Sequence, residues 1–133
     1  MRLAGHDLMD FRKHASGQWT GGSDGCINFN DGDNKGLKSC IVAIGIKDVY
    51  EKICDKISLA DFMVVAAEAV MSRAAKKYDA ANPWGKDSLE ARFLFFAKLG
   101  RQTNENCNEK GLMPNPENGC NDVEKIFLKH IFP

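Results

Sequence analysis

An imidazole and a guanidinium four residues apart open the chain, Arg2 and His6 in the string Arg2-Leu3-Ala4-Gly5-His6-Asp7. On a helix, i, i+4 spacing sets both side chains on one face. There a neutral histidine can take a proton from a small bound molecule while the arginine stabilises the negative charge that develops on it. The same spacing also describes two surface neighbours with no chemistry. A second group consists of oxygen donors: Asp7, and the loop Gly22-Ser23-Asp24-Gly25-Cys26. Carboxylates and loop carbonyls are the hard ligands calcium prefers, and glycines let the backbone turn its carbonyls inward. The alternative is an Asp/Gly turn closed by its own side-chain hydrogen bonds. An EF-hand is excluded, because Asp31-Gly32-Asp33-Asn34-Lys35-Gly36 begins like one but places Val42 where the bidentate glutamate belongs.

The elements that must position these groups are mainly helical. Leu3, Leu8 and Phe11 among polar residues predict the end of a helix within residues 1–14, begun before Met1. Residues 16–34 are rich in Gly, Asp, Asn and Ser and read as a long loop, of a size that is more often functional or ligand-organised than accidental. Leu37, Ile41, Ile44, Val49, Ile53 and Ile57 predict a second helix over 35–56, with Gly45 as its weak point. Ser58, followed three residues later by Asp61, starts a third from Leu59 to about Tyr78, burying Phe62, Val65, Ala66, Ala69 and Val70. Asn82-Pro83-Trp84-Gly85 breaks the chain, and Phe93-Leu94-Phe95-Phe96 is a short apolar run of either helix or strand. After a polar loop with Pro114 and Pro116, residues 121–130 form a last amphipathic helix with Asn121 as its cap.

The chain has 133 residues, 44% hydrophobic and 27% charged, which is the balance of one globular domain. Eighteen basic residues against eighteen acidic ones give zero formal charge, which argues against a nucleic-acid partner. The longest apolar stretch, Phe62 to Ala67, falls far short of the roughly 20 residues that span a bilayer. Five cysteines without a C-x-x-C pair exclude a zinc ribbon. On one straight helix Cys40 and Cys54 would lie about 21 Å apart, too far to pair, and each reads as a buried thiol. Cys107 and Cys120 flank a polar loop and are either bridged or two unrelated thiols.

Taken in order, several strings resemble the plant-type haem peroxidase superfamily. Arg2-Leu3-Ala4-Gly5-His6-Asp7 is similar to its distal-helix motif R-L-x-x-H-D, and Gly22-Ser23-Asp24-Gly25-Cys26-Ile27 to its distal cation loop. Asn30-Asp31-Gly32-Asp33-Asn34-Lys35-Gly36-Leu37 resembles the N-D-x-x-N-x-G-L of the cytochrome c and ascorbate peroxidase branch. Ile57-Ser58-Leu59-Ala60-Asp61 is similar to the start of the following helix. Gly100-Arg101 and Leu112-Met113-Pro114-Asn115-Pro116 resemble the later G-R and L-P-x-P segments.

The resemblance implies a mainly α chain with the topology of the distal, N-terminal half of a peroxidase, long Gly/Asp-rich loops included. Residues 1–133 would form one truncated domain that lacks the preceding helix and the proximal half. Arg2 would be the distal arginine, His6 the base that moves a peroxide proton, and Asn34 the residue that accepts the other ring hydrogen of His6. Asp7, Gly22 and Asp24 would ligate a distal calcium, with Cys26, whose thiol is a poor calcium ligand, where many relatives carry serine. Gly5 stands where the family carries an aromatic residue over the haem, and Leu8 replaces the cysteine of the secretory plant branch. The family's axial histidine lies beyond the L-P-x-P segment; His130 comes too early for it, and His14 has no counterpart. A haem iron needs a protein axial ligand. The leading expectation is therefore a haem-free accessory or scaffold subunit, with vestigial catalytic residues, held against protein subunits of a larger complex through exposed apolar surface. The ascorbate branch points to a plastid, with localisation otherwise open. The alternative is a fragment of a hydrogen-peroxide-dependent haem peroxidase, an oxidoreductase of longer native sequence.

Overall fold

A computed structural model describes residues 1–78 and 98–131, and within them the chain is mainly helical. Its elements are α1 (Arg2–Met9), the strands β1 (Arg12–Lys13) and β2 (Trp19–Thr20), α2 (Leu37–Ala43), α3 (Ile46–Glu51), α4 (Leu59–Tyr78) and α5 (Gly119–Ile131). Short 3-10 turns cover Gly32–Asn34 and Pro116–Asn118. The break at Asn82–Gly85 and the apolar run Phe93–Phe96 lie outside the described residues. No helix among the described residues is long and apolar enough to cross a membrane.

The helix expected within residues 1–14 stops at Met9, and the chain turns into a small antiparallel ladder that pairs Arg12 with Thr20 and Lys13 with Trp19. Phe11 stacks on Trp19 at 5.0 Å between ring centroids, and the Lys13 ammonium sits over the same indole. These contacts between apolar rings and a cation hold the hairpin that starts the long loop.

α4 begins where its sequence signal places it. Ser58 Oγ accepts the Asp61 N–H at 3.1 Å and satisfies one of the orphan donors of the first turn. Its buried face lies in that turn, at Ala60, Phe62 and Met63, whereas Val65 and Ala66 are half-buried and Ala69 and Val70 are exposed. The expected apolar face therefore fades toward the C-terminal half of the helix. Ile27, Leu37 and Met63 form the central cluster, with Leu3 and Leu59 packed against it, so α1, the long loop, α2 and α4 meet at one small core.

Residues 35–56 form two short helices, not the single one expected. Gly45 takes the left-handed conformation at φ +61°, which ends α2 and starts α3 in a new direction. Apolar spacing of about 3.6 continues across such a break, because each half keeps its own face. Cys40 and Cys54 are consequently not on one straight helix, and both are exposed free thiols, not buried ones. The last helix starts at Gly119, two residues before the expected cap Asn121, and the side-chain cap in that region is Asn115, which accepts the Glu117 N–H. α5 packs against β1 and buries His130.

The cysteine pairing also differs from either sequence alternative. Cys107 is bonded to Cys26 across 81 residues of chain, and Cys120 is free and exposed. The partner was hidden by that separation, since nothing local links a glycine-rich turn to the polar segment that follows α4.

Candidate functional site

α1 brings Arg2 and His6 onto one face, and Arg2 Nε–H donates to His6 Nε2 at 3.3 Å. A second Arg2 donor, Nη2, reaches the Lys35 carbonyl at 3.2 Å and ties the guanidinium to the turn that carries Asn34. That turn is fixed by Asp31, whose side chain accepts the Asp33 N–H. Gly36, at φ +86°, then redirects the chain into α2.

Asn34 is buried, and its amide has a determined orientation. Nδ2–H donates to the Asn28 carbonyl at 2.9 Å, so the oxygen faces His6 Nδ1 at 2.8 Å. An amide oxygen only accepts, which assigns the ring proton to Nδ1. The Arg2 donor at Nε2 agrees with this, because it requires a lone pair there. His6 is thus held as the Nδ1–H tautomer with its basic nitrogen beside a guanidinium. Arg2, His6 and Met9 line a cleft of about 700 Å³ whose opposite wall is Asp33 and Met113-Pro114-Asn115-Pro116. Such a cleft offers a proton acceptor and an anion stabiliser to a small polar molecule.

Behind α1 lies the acidic loop. Asp7 is completely buried; Oδ2 accepts the Gly25 N–H at 3.2 Å, while Oδ1 has no hydrogen-bond partner among the described residues. Burial pushes its carboxyl up to about 7, only partly offset by the Gly25 N–H. Gly25 has no room for a side chain: its φ is +74°, and a Cβ would meet the Ala60 backbone nitrogen at 2.8 Å. Both Asp24 oxygens are engaged, Oδ1 by the Cys26 N–H at 3.0 Å and Oδ2 by the Asn104 side chain at 3.1 Å. Gly22 donates its N–H to Asp10 Oδ1 at 2.7 Å and accepts the Asp24 N–H on its carbonyl. Among the described residues no group of three or more His, Cys, Asp or Glu is arranged to hold a metal ion. Asp7 is the residue with an open oxygen; Gly22 and Asp24 are committed to the turn itself.

The segment from Lys98 to Pro116 straps across this loop. Its Gly100 N–H and Arg101 guanidinium bind the buried Asp61, at 2.5 and 2.9 Å. Burial alone would raise the Asp61 carboxyl, but these donors and the Arg101 charge outweigh it and hold the group below its usual value. Thr103 Oγ1 accepts the Ala60 N–H, Asn104 clasps Asp24 by backbone and side chain, and Gly111 N–H donates to Asp31.

The two remaining histidines are elsewhere. His14 bonds Thr20 Oγ1 at 2.9 Å in the hairpin. His130 is 4% exposed in a separate apolar cavity with Leu8, Phe11, Leu112 and Phe127, and its Nε2 has no partner among the described residues. Burial and the nearby Lys129 and Arg12 charges lower its pKa. The structure therefore brings together Arg2, His6 and Asn34, and sets Asp7 close enough to Asp24 to feel its charge, with Asp7 bonding the Gly25 N–H and Asp24 the Cys26 N–H.

Sequence reasoning missed Asp10, whose carboxyl accepts the Gly22 N–H and is pushed by burial to about 7. It also missed Asn28, the anchor of Asn34, and the strap residues Asn104 and Glu109. A signal for Asn28 exists in hindsight, since Asn and Asp favour turns that bond backbone two residues on, and Asn28 Oδ1 does accept the Asn30 N–H. Comparison with protein-family models, curated proteins and solved structures gives no match.

Proposed function

We propose that this chain supplies the peroxide-handling side of a plant-type haem peroxidase site, with Arg2, His6 and Asn34 as its working residues. The observation that carries the reading is the oriented chain His6–Asn34–Asn28, which leaves Nε2 as the basic atom at a cleft shared with Arg2. Random surface neighbours would not be backed by a buried asparagine whose amide is itself pinned. A bound haem would supply the redox centre that takes the oxidising equivalents of hydrogen peroxide. The chain's own part is proton and charge work. Once the Arg2 Nε–H moves off it, His6 Nε2 accepts a proton from one peroxide oxygen and returns it to the other as that oxygen leaves. Asn34 keeps the second ring proton in place, and the Arg2 guanidinium stabilises the charge that builds on the departing oxygen.

The fit to haem is one-sided. The cleft has room and the right polar residues on the α1 side, but neither His14 nor His130 lines it. Beyond His6 itself, a histidine ligand for the iron is therefore not among the described residues that line the cleft. That same observation favours a second reading, in which the fold is a haem-free scaffold docked in a larger assembly and the site is vestigial. Gly5 adds to it, since a Cβ there would meet nothing within 4 Å where the family resemblance expects an aromatic ring.

Hemin titration of the full chain in the presence of free imidazole separates the two, because imidazole replaces the missing axial ligand. A saturable Soret shift at one hemin per chain supports the peroxidase reading. No saturable binding by a chain that retains its far-UV helix signal favours the scaffold.

A further inference from the structure

The strap and the Asn34 anchor are joined at two neighbouring places that proton transfer by His6 does not itself require. Cys26 is bonded to Cys107. Two residues further on in each segment, Asn28 Nδ2–H donates to the Glu109 carbonyl at 3.2 Å. Asn28 is also the residue whose carbonyl holds the Asn34 amide. Further along, Gly111 N–H donates to Asp31 Oδ2 at 2.9 Å, and Asp31 is the cap of the turn that carries Asn34. Two of the strap's ties thus end on the two residues that fix Asn34, and the covalent bond sits beside the first of them.

We infer that the Cys26–Cys107 bond is a redox-sensitive clamp that, through Asn28 and Asp31, keeps Asn34 seated on His6, and that a dithiol reductant releases it. Cys26 is 3% exposed, whereas Cys107 is only half-buried, so a reductant reaches the Cys107 sulfur. One reductant thiolate attacks there, the S–S bond breaks and Cys26 leaves as the thiolate; the second reductant thiol then displaces Cys107. The protein gains two electrons and two protons, and the dithiol is left as a disulfide. After release the strap is held over Asn28 by hydrogen bonds alone, each a modest net contribution in the presence of water. Asn28 and Asp31 then relax, Asn34 Oδ1 is no longer fixed at His6 Nδ1, and with only the Arg2 Nε–H left to favour a lone pair on Nε2 the ring proton spreads over both nitrogens, part of the population carrying it on Nε2. In that tautomer Nε2 cannot accept a proton. Only this last consequence rests on the peroxidase reading, and it would make the site fully active when oxidised and less active when reduced. Asn28 and the disulfide act as positioning elements.

The test is the ring-nitrogen pattern of His6 in a 15N-labelled full chain, followed by proton–nitrogen correlation before and after dithiothreitol, with His6→Ala for assignment. The oxidised chain is expected to show Nδ1 protonated and Nε2 unprotonated, and the reduced chain to shift toward the averaged values of a mixed tautomer. A folded chain with both thiols free and an unchanged His6 pattern overturns the inference. Should reduction cost the chain its far-UV helix signal, the decision passes to Asn28→Ser, which keeps the disulfide, the backbone carbonyl and an oxygen for the Asn30 N–H but loses the bond to Glu109. A tautomer shift in Asn28→Ser upholds the coupling, and an unchanged pattern overturns it. No haem or peroxide enters this experiment, so failure of the peroxidase reading shows separately in the hemin titration.

Discussion

The face of α1 with its supporting loop and the α2–α3 pair are built on opposite terms. In the first, polar side chains are buried and individually partnered: Asn34 is 8% exposed and bonded at both ends of its amide, and Asp61 is held by two strap residues. In the second, apolar side chains face outward, with Val42 78% and Val49 53% exposed on helices of seven and six residues. Burying a polar group costs free energy unless its partners are supplied, so the first region exists only because distant segments deliver donors and acceptors to it. Elements as short as α2 and α3 gain little from their own hydrogen bonds and depend on packing. Tyr50, its ring tilted 38° against that of Phe62 at 5.0 Å between centroids, is one of the contacts that attach α3 to α4. The lesson is that order in this molecule follows the polar ties of the long loop more than the amount of apolar surface.

The largest expected effect breaks the first region at Asp7. Its folded pKa of about 7 lies above the ordinary 3.8, so between these values the folded chain binds more protons than the unfolded one. Stability accordingly falls as pH rises from about 4 to 7, by on the order of 4 kcal/mol in full. Asp7→Asn removes that slope and melts higher than the parent at pH 8, measured by circular dichroism. If the open Oδ1 takes a calcium ion, added calcium raises the parent's melting temperature at pH 8 and leaves Asp7→Asn unmoved.

Next comes Asp61. Asp61→Ala strands the Arg101 guanidinium and the Gly100 N–H, and it should cost about 2 to 3 kcal/mol in urea unfolding at neutral pH. Because the Asp61 carboxyl is held below 3.8, its contribution is whole above that value and disappears as pH falls through the lowered folded value. The difference between parent and variant should therefore shrink as pH is taken below 3.8 and through the lowered folded value.

How much of this was legible in the sequence divides along the same line. Ser58 and Asp61 announced α4 because capping is local, and Arg2 with His6 announced one helical face because i, i+4 is local. The Asn34 role came from the resemblance, not from any local pattern; the structure sets its Oδ1 2.8 Å from His6 Nδ1. The Cys26–Cys107 bond, Asp10 and the Asn28–Glu109 tie were not legible, since each depends on how a turn or the strap folds back on the loop. Gly45 stood out as the weak point of the expected helix, but that it divides the segment in two was not legible, because a left-handed glycine interrupts a helix without interrupting its apolar period.

The smallest effect sharpens the contrast from the α2–α3 side. Val42→Lys replaces a side chain that is mostly in water, so the unfolding midpoint should move by less than about 0.5 kcal/mol in either direction. A loss of more than about 2 kcal/mol would place Val42 in a packed interior and erase the distinction between the two regions.

The most direct test of the account is hydrogen peroxide turnover by the hemin- and imidazole-loaded chain, compared between the parent and His6→Ala at equal haem occupancy. Loss of a positioned general base predicts a fall of roughly 10²- to 10⁴-fold, with the Soret band retained. Equal rates in the two chains would contradict the assignment of Arg2, His6 and Asn34 as a peroxide-handling site.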